Sequence, residues 1–197
     1  MSATITSLTQ DVITITKRGD LVADIPLHLK NALIKAHTAD YWLRDMFETN
    51  FVFGAPAANY SLDYKSIIPR FRTIKYLTTI DPITGATVRI LNNIPVEQFV
   101  DRYKYIKDYV YYVAGNNIKI RVSDSAINFG IGCFLYPDTT LATPSWIADE
   151  FPYAIVYEAV RTLFKVIGRD DESRAMESLL AEAMAEVRMV GITPTGE

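Results

Sequence analysis

The chain has few residues of the types that do chemistry, and their spacing limits what they can do. It contains two histidines, His28 and His37. On one helix, nine residues leave them about half a turn out of phase after two full turns, so they face opposite ways and cannot share a metal. His37 and Asp40 stand three apart, within reach of a surface hydrogen bond. The lone cysteine, Cys133, sits in the apolar run Ile131 to Leu135. A reactive thiol needs a cationic, partly open setting, so a buried strand thiol is expected. Gly130-Ile131-Gly132 lacks the full glycine pattern and the following helix of a phosphate loop. No Gly-x-Ser-x-Gly elbow occurs. Asp149 and Glu150 are adjacent, which splays them by about 100° on a helix. They make a poor acid–base pair but ordinary first-turn acids, favoured by the helix dipole. No catalytic constellation, metal set or cofactor cradle emerges, and the expectation is a protein that is not an enzyme.

Two stretches interleave bases with aromatics: Arg70-Phe71-Arg72 with Lys75-Tyr76, and Arg102-Tyr103-Lys104-Tyr105 with Lys107. Such mixtures can stack nucleobases and hold phosphates. The chain as a whole argues against that role. It carries 20 Lys+Arg against 23 Asp+Glu, whereas general nucleic-acid binders are basic. The expected alternative is a half-exposed strand whose aromatics pack inward or against a neighbouring subunit. The 12 Tyr and 9 Phe supply ample material for protein–protein contacts.

Composition narrows the class further. Of 197 residues, 49% are apolar and 22% charged, which excludes disorder as the main state. The length suits one domain, or one domain carrying an insertion. A single cysteine rules out an internal disulfide scaffold. Met1 to Lys17 is polar and Thr-rich, unlike a signal peptide, and no window is apolar enough to span a bilayer. A reducing cytosol, or a particle assembled there, is the expected setting.

Three stretches organise these residues. Val22, Ile25, Leu29, Ala32, Ala36, Ala39, Leu43 and Met46 alternate at three and four, predicting a helix over 25–47 with Asp24 as N-cap and Pro26 in its first turn. Leu8 to Thr16 reads as a short preceding helix, broken off by Gly19-Asp20. From Asn50 to Pro137 the pattern changes to β-branched and aromatic runs: Phe51 to Phe53, Arg72 to Ile80, Thr87 to Leu91, Tyr109 to Val113, Ile118 to Val122 and Asn128 to Tyr136. Asp81 to Gly85 reads as a connecting loop, and Gly115-Asn116-Asn117 as a tight hairpin. Ile118, Ile120 and Val122 alternate with Lys119 and Arg121, giving that strand one dry face. The last stretch returns to helix. Ser145-Trp146 opens a segment, Pro152 stands near the start of a helix to Ile167, and Gly168 ends it. Ile155, Ala159, Leu163 and Ile167 repeat every four residues, as do Val156, Val160 and Phe164 beside them, predicting a buried helix. A final helix starts at Asp170 or Asp171 and runs to Val190, with Ala175, Met176, Leu179, Leu180, Ala183, Met184 and Val187 as its apolar set. The predicted class is α+β. A helical core from 1–49 and 138–190 carries an antiparallel β insertion, 50–137, and the tail 191–197 is free or held by a partner.

This order resembles the head-to-tail adaptor, or connector, proteins of tailed bacteriophages, particularly short-tailed ones. The stretches that carry the likeness are Leu33 to Asp45 (LIKAHTADYWLRD), Pro69 to Ile74 (PRFRTI), Val110 to Gly115 (VYYVAG), Ser145 to Val156 (SWIADEFPYAIV) and Ile167 to Asp170 (IGRD). It covers most of residues 20–190. The resemblance implies a structural virion protein, a homo-oligomeric ring of usually twelve copies. The ring would dock beneath the portal protein, extend the DNA channel and offer a platform to a tail or nozzle protein. DNA would pass through without sequence-specific binding, no membrane would be involved, and no cofactor is implied. The place of action would be the head–tail junction of the virion, after assembly in the host cytoplasm.

On this reading the portal is reached through the C-terminal segment, with Arg188, Val190, Ile192, Thr193, Pro194 and Thr195 as candidate contacts. Tyr103, Tyr105 and Tyr111, named from strand alternation, are candidates for a subunit or tail interface. Arg169 to Arg188 holds six acids and three bases, a balance of –3. That face would either be solvated or repel phosphates in a DNA channel. The alternative function is a non-catalytic binding module that uses the β insertion as a peptide or small-ligand site.

Overall fold

A computed structural model describes residues 3–100, 108–122, 127–140 and 145–192. They divide into two compact units, one of helices (Met1–Asp45 with Tyr136–Glu197) and one of strands (Met46–Leu135). The fold is α+β. The boundaries fall at 46 and 135, slightly earlier than the 50 and 137 read from composition.

The helical unit begins with α1, Ile5–Thr16. Thr4 caps it: its hydroxyl accepts from the Ser7 amide, and the Ser7 hydroxyl accepts from the Thr4 amide, a reciprocal box. Lys17 closes the helix in a left-handed conformation. A 3-10 turn, Gly19–Leu21, leads to α2, Ile25–Thr38. Asp24 stands at the N-cap position, but its side chain makes no capping bond. The expected continuation of α2 to Phe47 does not occur. Trp42 folds back into the core, fully buried, and its indole N–H donates to the Ala36 carbonyl at 3.0 Å. That carbonyl lies in the last turn of α2, where it also accepts from the Ala39 amide at 3.4 Å. Burying the indole outweighs further turns of helix, and the chain makes a 3-10 turn at Leu43–Asp45 instead. Leu43, expected in the core stripe, is 43% exposed, and Val22 is exposed as well.

The chain returns to this unit through α5, Trp146–Glu150, whose N-cap is Ser145. The next helix, α6 (Pro152–Val166), is the centre of the unit and packs against α1, α2, α5 and the last helix. Ile155, Val156, Ala159, Val160, Leu163 and Phe164 are all buried, as their double fourfold spacing predicts. Gly168, at φ 76°, takes the chain out of α6 and into α7, Asp170–Ile192. This final helix rests on one side only. Val187 is buried, whereas Ala175 and Leu179, expected in its apolar set, are exposed.

The strand unit holds β1 (Met46–Val52), β2 (Asn59–Asp63), β3 (Phe71–Ile80), β4 (Thr87–Ile90), β5 (Asn92–Asn93), β6 (Val110–Ala114), β7 (Asn117–Arg121) and β8 (Asn128–Leu135). Two short helices, α3 (Tyr64–Ile67) and α4 (Val96–Val100), lie between strands. One sheet has the order β1-β8-β3-β4 and is antiparallel; the other has the order β2-β7-β6-β5, with β5 joined to β6 in parallel. Their apolar faces share one core, in which Phe53 stacks on Tyr60 and Phe51 stacks on Phe129. β2 was not expected from the sequence. The loop Asp81 to Gly85 is tied by the Asp81 carboxylate, which accepts from the amides of Ile83 and Thr84 and is held below the usual carboxylate range by those bonds. Gly115 turns the β6–β7 hairpin at φ 59°. Met46 at the start of β1 pairs with Phe134 at the end of β8, so the two ends of the unit lie side by side.

Gly130 and Gly132 have a packing role in β8. A Cβ on Gly132 would collide with the ring of Tyr76, which lies across the strand and donates its hydroxyl to Glu48. That bond and burial hold the Tyr76 phenol up at about 12.

Candidate functional site

The most concentrated polar chemistry in the helical unit lies where the last turn of α2, the 3-10 turn at Leu43–Asp45 and the start of α5 meet. His37 is 3% exposed and joins the other two segments. Its Nδ1 is 2.6 Å from Asp45 Oδ2, and its Nε2 is 2.6 Å from Ser145 Oγ. A carboxylate only accepts, so Nδ1 carries the proton toward Asp45; in the neutral imidazole Nε2 then accepts from the Ser145 hydroxyl. The other oxygen of Asp45 accepts from the Trp146 indole at 2.8 Å. His37 is therefore a buried link, where a surface hydrogen bond was expected.

The order carboxylate, imidazole, hydroxyl is the one that activates a serine in hydrolases. Here the hydroxyl is occupied otherwise. Ser145 is 8% exposed and its oxygen accepts from the Ala148 amide, capping α5. What the chain of bonds does in this setting is hold three segments in register.

An aromatic floor completes the cluster. Trp146 meets His37 and Trp42 edge to face, and the Arg44 guanidinium lies over the Trp146 ring, 4.7 Å from its centroid. Arg44 also forms a two-pronged bond with Glu150, 2.6 Å at each oxygen, which holds the Glu150 carboxyl below its usual range. Against the two indoles rests Gly191 of α7. A Cβ there would come within 2.6 Å of the Trp42 ring. Only a glycine lets the end of α7 approach this closely, and Gly191 is buried rather than part of a free tail.

A second feature is a cleft of about 410 Å³ between α2, α6 and α7. Ala32, Ala36 and Ala154 line its apolar side, and Glu158 is its most buried charge. Glu158 accepts from Lys35 at 2.7 Å and from Arg161 at 2.9 Å through two nitrogens. Burial pushes its carboxyl up, the two cations pull it down, and the cations prevail. Arg188 also lines the cleft.

The residues singled out from sequence fall in several places. Arg188 is exposed, Val190 is half-buried and Ile192 is the last residue of α7. Thr193, Pro194 and Thr195 lie outside the described residues, as do Tyr103 and Tyr105. Tyr111, expected on an exposed face, is buried in the core of the strand unit: it pairs with Ile120, and both side chains point inward. Cys133 is a buried strand thiol, and burial pushes it up to about 11. Asp149 accepts from the Ala3 amide at 2.7 Å. Phe71, in the first basic–aromatic stretch, packs on Tyr64 with ring centroids 4.1 Å apart.

Sequence reasoning missed Asp45 and Ser145 as partners of His37. Ser145 is 108 residues away, and the only local signal was its capping position. Among the described residues, no group of three or more His, Cys, Asp and Glu is placed to hold a metal ion, and no helix is long and apolar enough to cross a membrane. No family model matches the chain, and no curated protein matches its sequence.

Proposed function

We propose that the chain is a structural subunit of the head-to-tail junction of a tailed bacteriophage. It forms a ring of about twelve copies, docks beneath the portal, extends the DNA channel and presents a platform to the tail. The copy number and the partners rest on the family resemblance. The observation that carries this reading is the chain order: a helical unit built from both ends of the chain, with a β sandwich inserted through strands whose ends are paired. Exposed apolar side chains add support. Leu27 and Ile34 on α2, Met189 on α7, and Val52, Val88 and Ile90 on the two edge strands of the β1-containing sheet are surfaces of the kind subunit contacts cover.

Native mass spectrometry of the purified chain, alone and mixed with portal rings, tests the proposal. A discrete ring mass in either sample is expected. A chain that stays monomeric and never joins a portal ring overturns it.

A further inference from the structure

Two helical faces of the helical unit stand out because they are exposed, partly apolar and opposite in charge. The first is on α2. Leu27, Asn31 and Ile34 recur at helical spacing on its outer side; Leu27 is 62% exposed. Lys30 flanks this stripe and makes no ion pair among the described residues. Lys35 flanks it on the other side, with its ammonium drawn to Glu158. The second face is on α7. Ala175, Leu179, Glu182, Glu186 and Met189 recur at the same spacing and all are exposed. Neither Glu182 nor Glu186 makes an ion pair among the described residues.

We propose that the α7 stripe of one copy docks on the α2 stripe of the next, pairing Glu182 and Glu186 with the lysine-flanked face around Leu27 and Ile34. The inference rests on the ring reading and names the surface that would build the ring. Three considerations favour a second copy as the occupant. The two stripes are complementary in charge, with Glu182 and Glu186 on one and Lys30 beside the other, while Lys35 is already paired with Glu158. Both carry exposed apolar side chains beside these polar groups, Leu27 and Ile34 on α2 and Leu179 and Met189 on α7, so each leaves in water a surface that the other would cover. They lie on different helices, so the contact is heterologous, and a heterologous contact repeats from copy to copy until it closes as a ring or runs on as a filament. The acidic balance of α7 then has a place in a subunit contact, not in a channel wall.

The test exploits the two-sidedness of such a contact. One variant carries Glu182→Lys and Glu186→Lys; the other carries Lys30→Glu. Both change exposed or half-exposed side chains outside the packed core, and circular dichroism checks that each folds. Native mass spectrometry and sedimentation velocity then read the assembly of the full chain. Each variant alone should assemble at least tenfold more weakly than the wild type. An equimolar mixture should recover assembly, because alternating copies place reversed α7 against reversed α2 and wild-type α7 against wild-type α2. Wild-type-like assembly of the Glu182→Lys/Glu186→Lys variant overturns the inference and leaves the ring reading standing. So does a mixture no better than its components. A wild type that never assembles, with or without portal rings, overturns both.

Discussion

At the scale of single residues, Glu158 and Cys133 are shifted by their surroundings in opposite directions. Glu158 loses water on folding and gains Lys35 and Arg161, with a net downward shift of its carboxyl. A carboxyl lowered in the folded state contributes stability above its unfolded value, and that contribution is lost as the pH falls through the folded value. We expect Glu158→Ala to cost about 1–3 kcal/mol at neutral pH, because Arg161 is left half-buried beside an empty site. Urea unfolding at a series of pH values should show the gap between wild type and Glu158→Gln shrinking below about pH 4, where the ordinary glutamate value lies. A gap that does not narrow on acidification would mean the cations do not hold the carboxylate. Cys133 behaves oppositely. With its thiol raised to about 11 and the side chain buried, iodoacetamide at pH 8 should leave it unmodified in the folded protein and label it in urea, read by intact mass. The apolar run Ile131 to Leu135 around Cys133 already indicated this environment. Of the partners of Glu158, Arg161 stands three residues along the same helix, whereas Lys35, 123 residues away, was not legible.

Among the elements, α6 and α7 show where periodicity is a sufficient guide and where it is not. The two interleaved fourfold rows of α6 are buried from Ile155 to Phe164, with Ile167 half-buried at the helix end, because the helix has neighbours on most sides. Leu163→Ala should therefore cost about 2–5 kcal/mol, whereas Leu43→Ala, at an exposed position, should cost under about 0.5 kcal/mol. Equal losses at the two positions in denaturant melts would contradict the end of α2 at Thr38. In α7 an apolar set of similar density is only partly covered, since α7 packs along one side. Its far end is fixed by Gly191 against Trp42 and Trp146. Gly191→Ala should lower stability by about 1–3 kcal/mol through overpacking, despite the better helix propensity of alanine. A gain in melting temperature would show that the indoles yield. The same contact moves the boundary of any partner-binding tail. A truncation should leave Ile192 in place, and its effect on co-sedimentation with portal rings then reports on the five residues Thr193 to Glu197.

For the whole molecule, the two units have separate cores. Leu8 to Val187 in one cluster and Phe51 to Cys133 in the other share no buried residue. Met46 and Phe134 are paired, so a short Gly-Ser linker can replace residues 46–135. The shortened protein should keep its helices by far-UV circular dichroism and melt cooperatively. Non-cooperative melting would mean that the helical unit depends on the strands. If the ring reading holds, the shortened chain should lose binding to tail proteins, measured by co-sedimentation.

The sequence by itself determined the class and the order of the parts. Apolar spacing of three and four marks α6, alternation marks β7, and Gly115 with Asn116 and Asn117 marks the hairpin. Each of these signals lies within a few residues, where backbone sterics and periodicity act. Tertiary structure alone decided where α2 stops, because the stop depends on Trp42 finding a buried site and the Ala36 carbonyl. It decided that Tyr111 faces inward, since alternation shows that a strand has two faces without showing which one is covered. It also decided that His37 meets Asp45 and Ser145, and that Gly191 meets two indoles. Those contacts join residues far apart in the chain, and their energy exists only once the helices have packed.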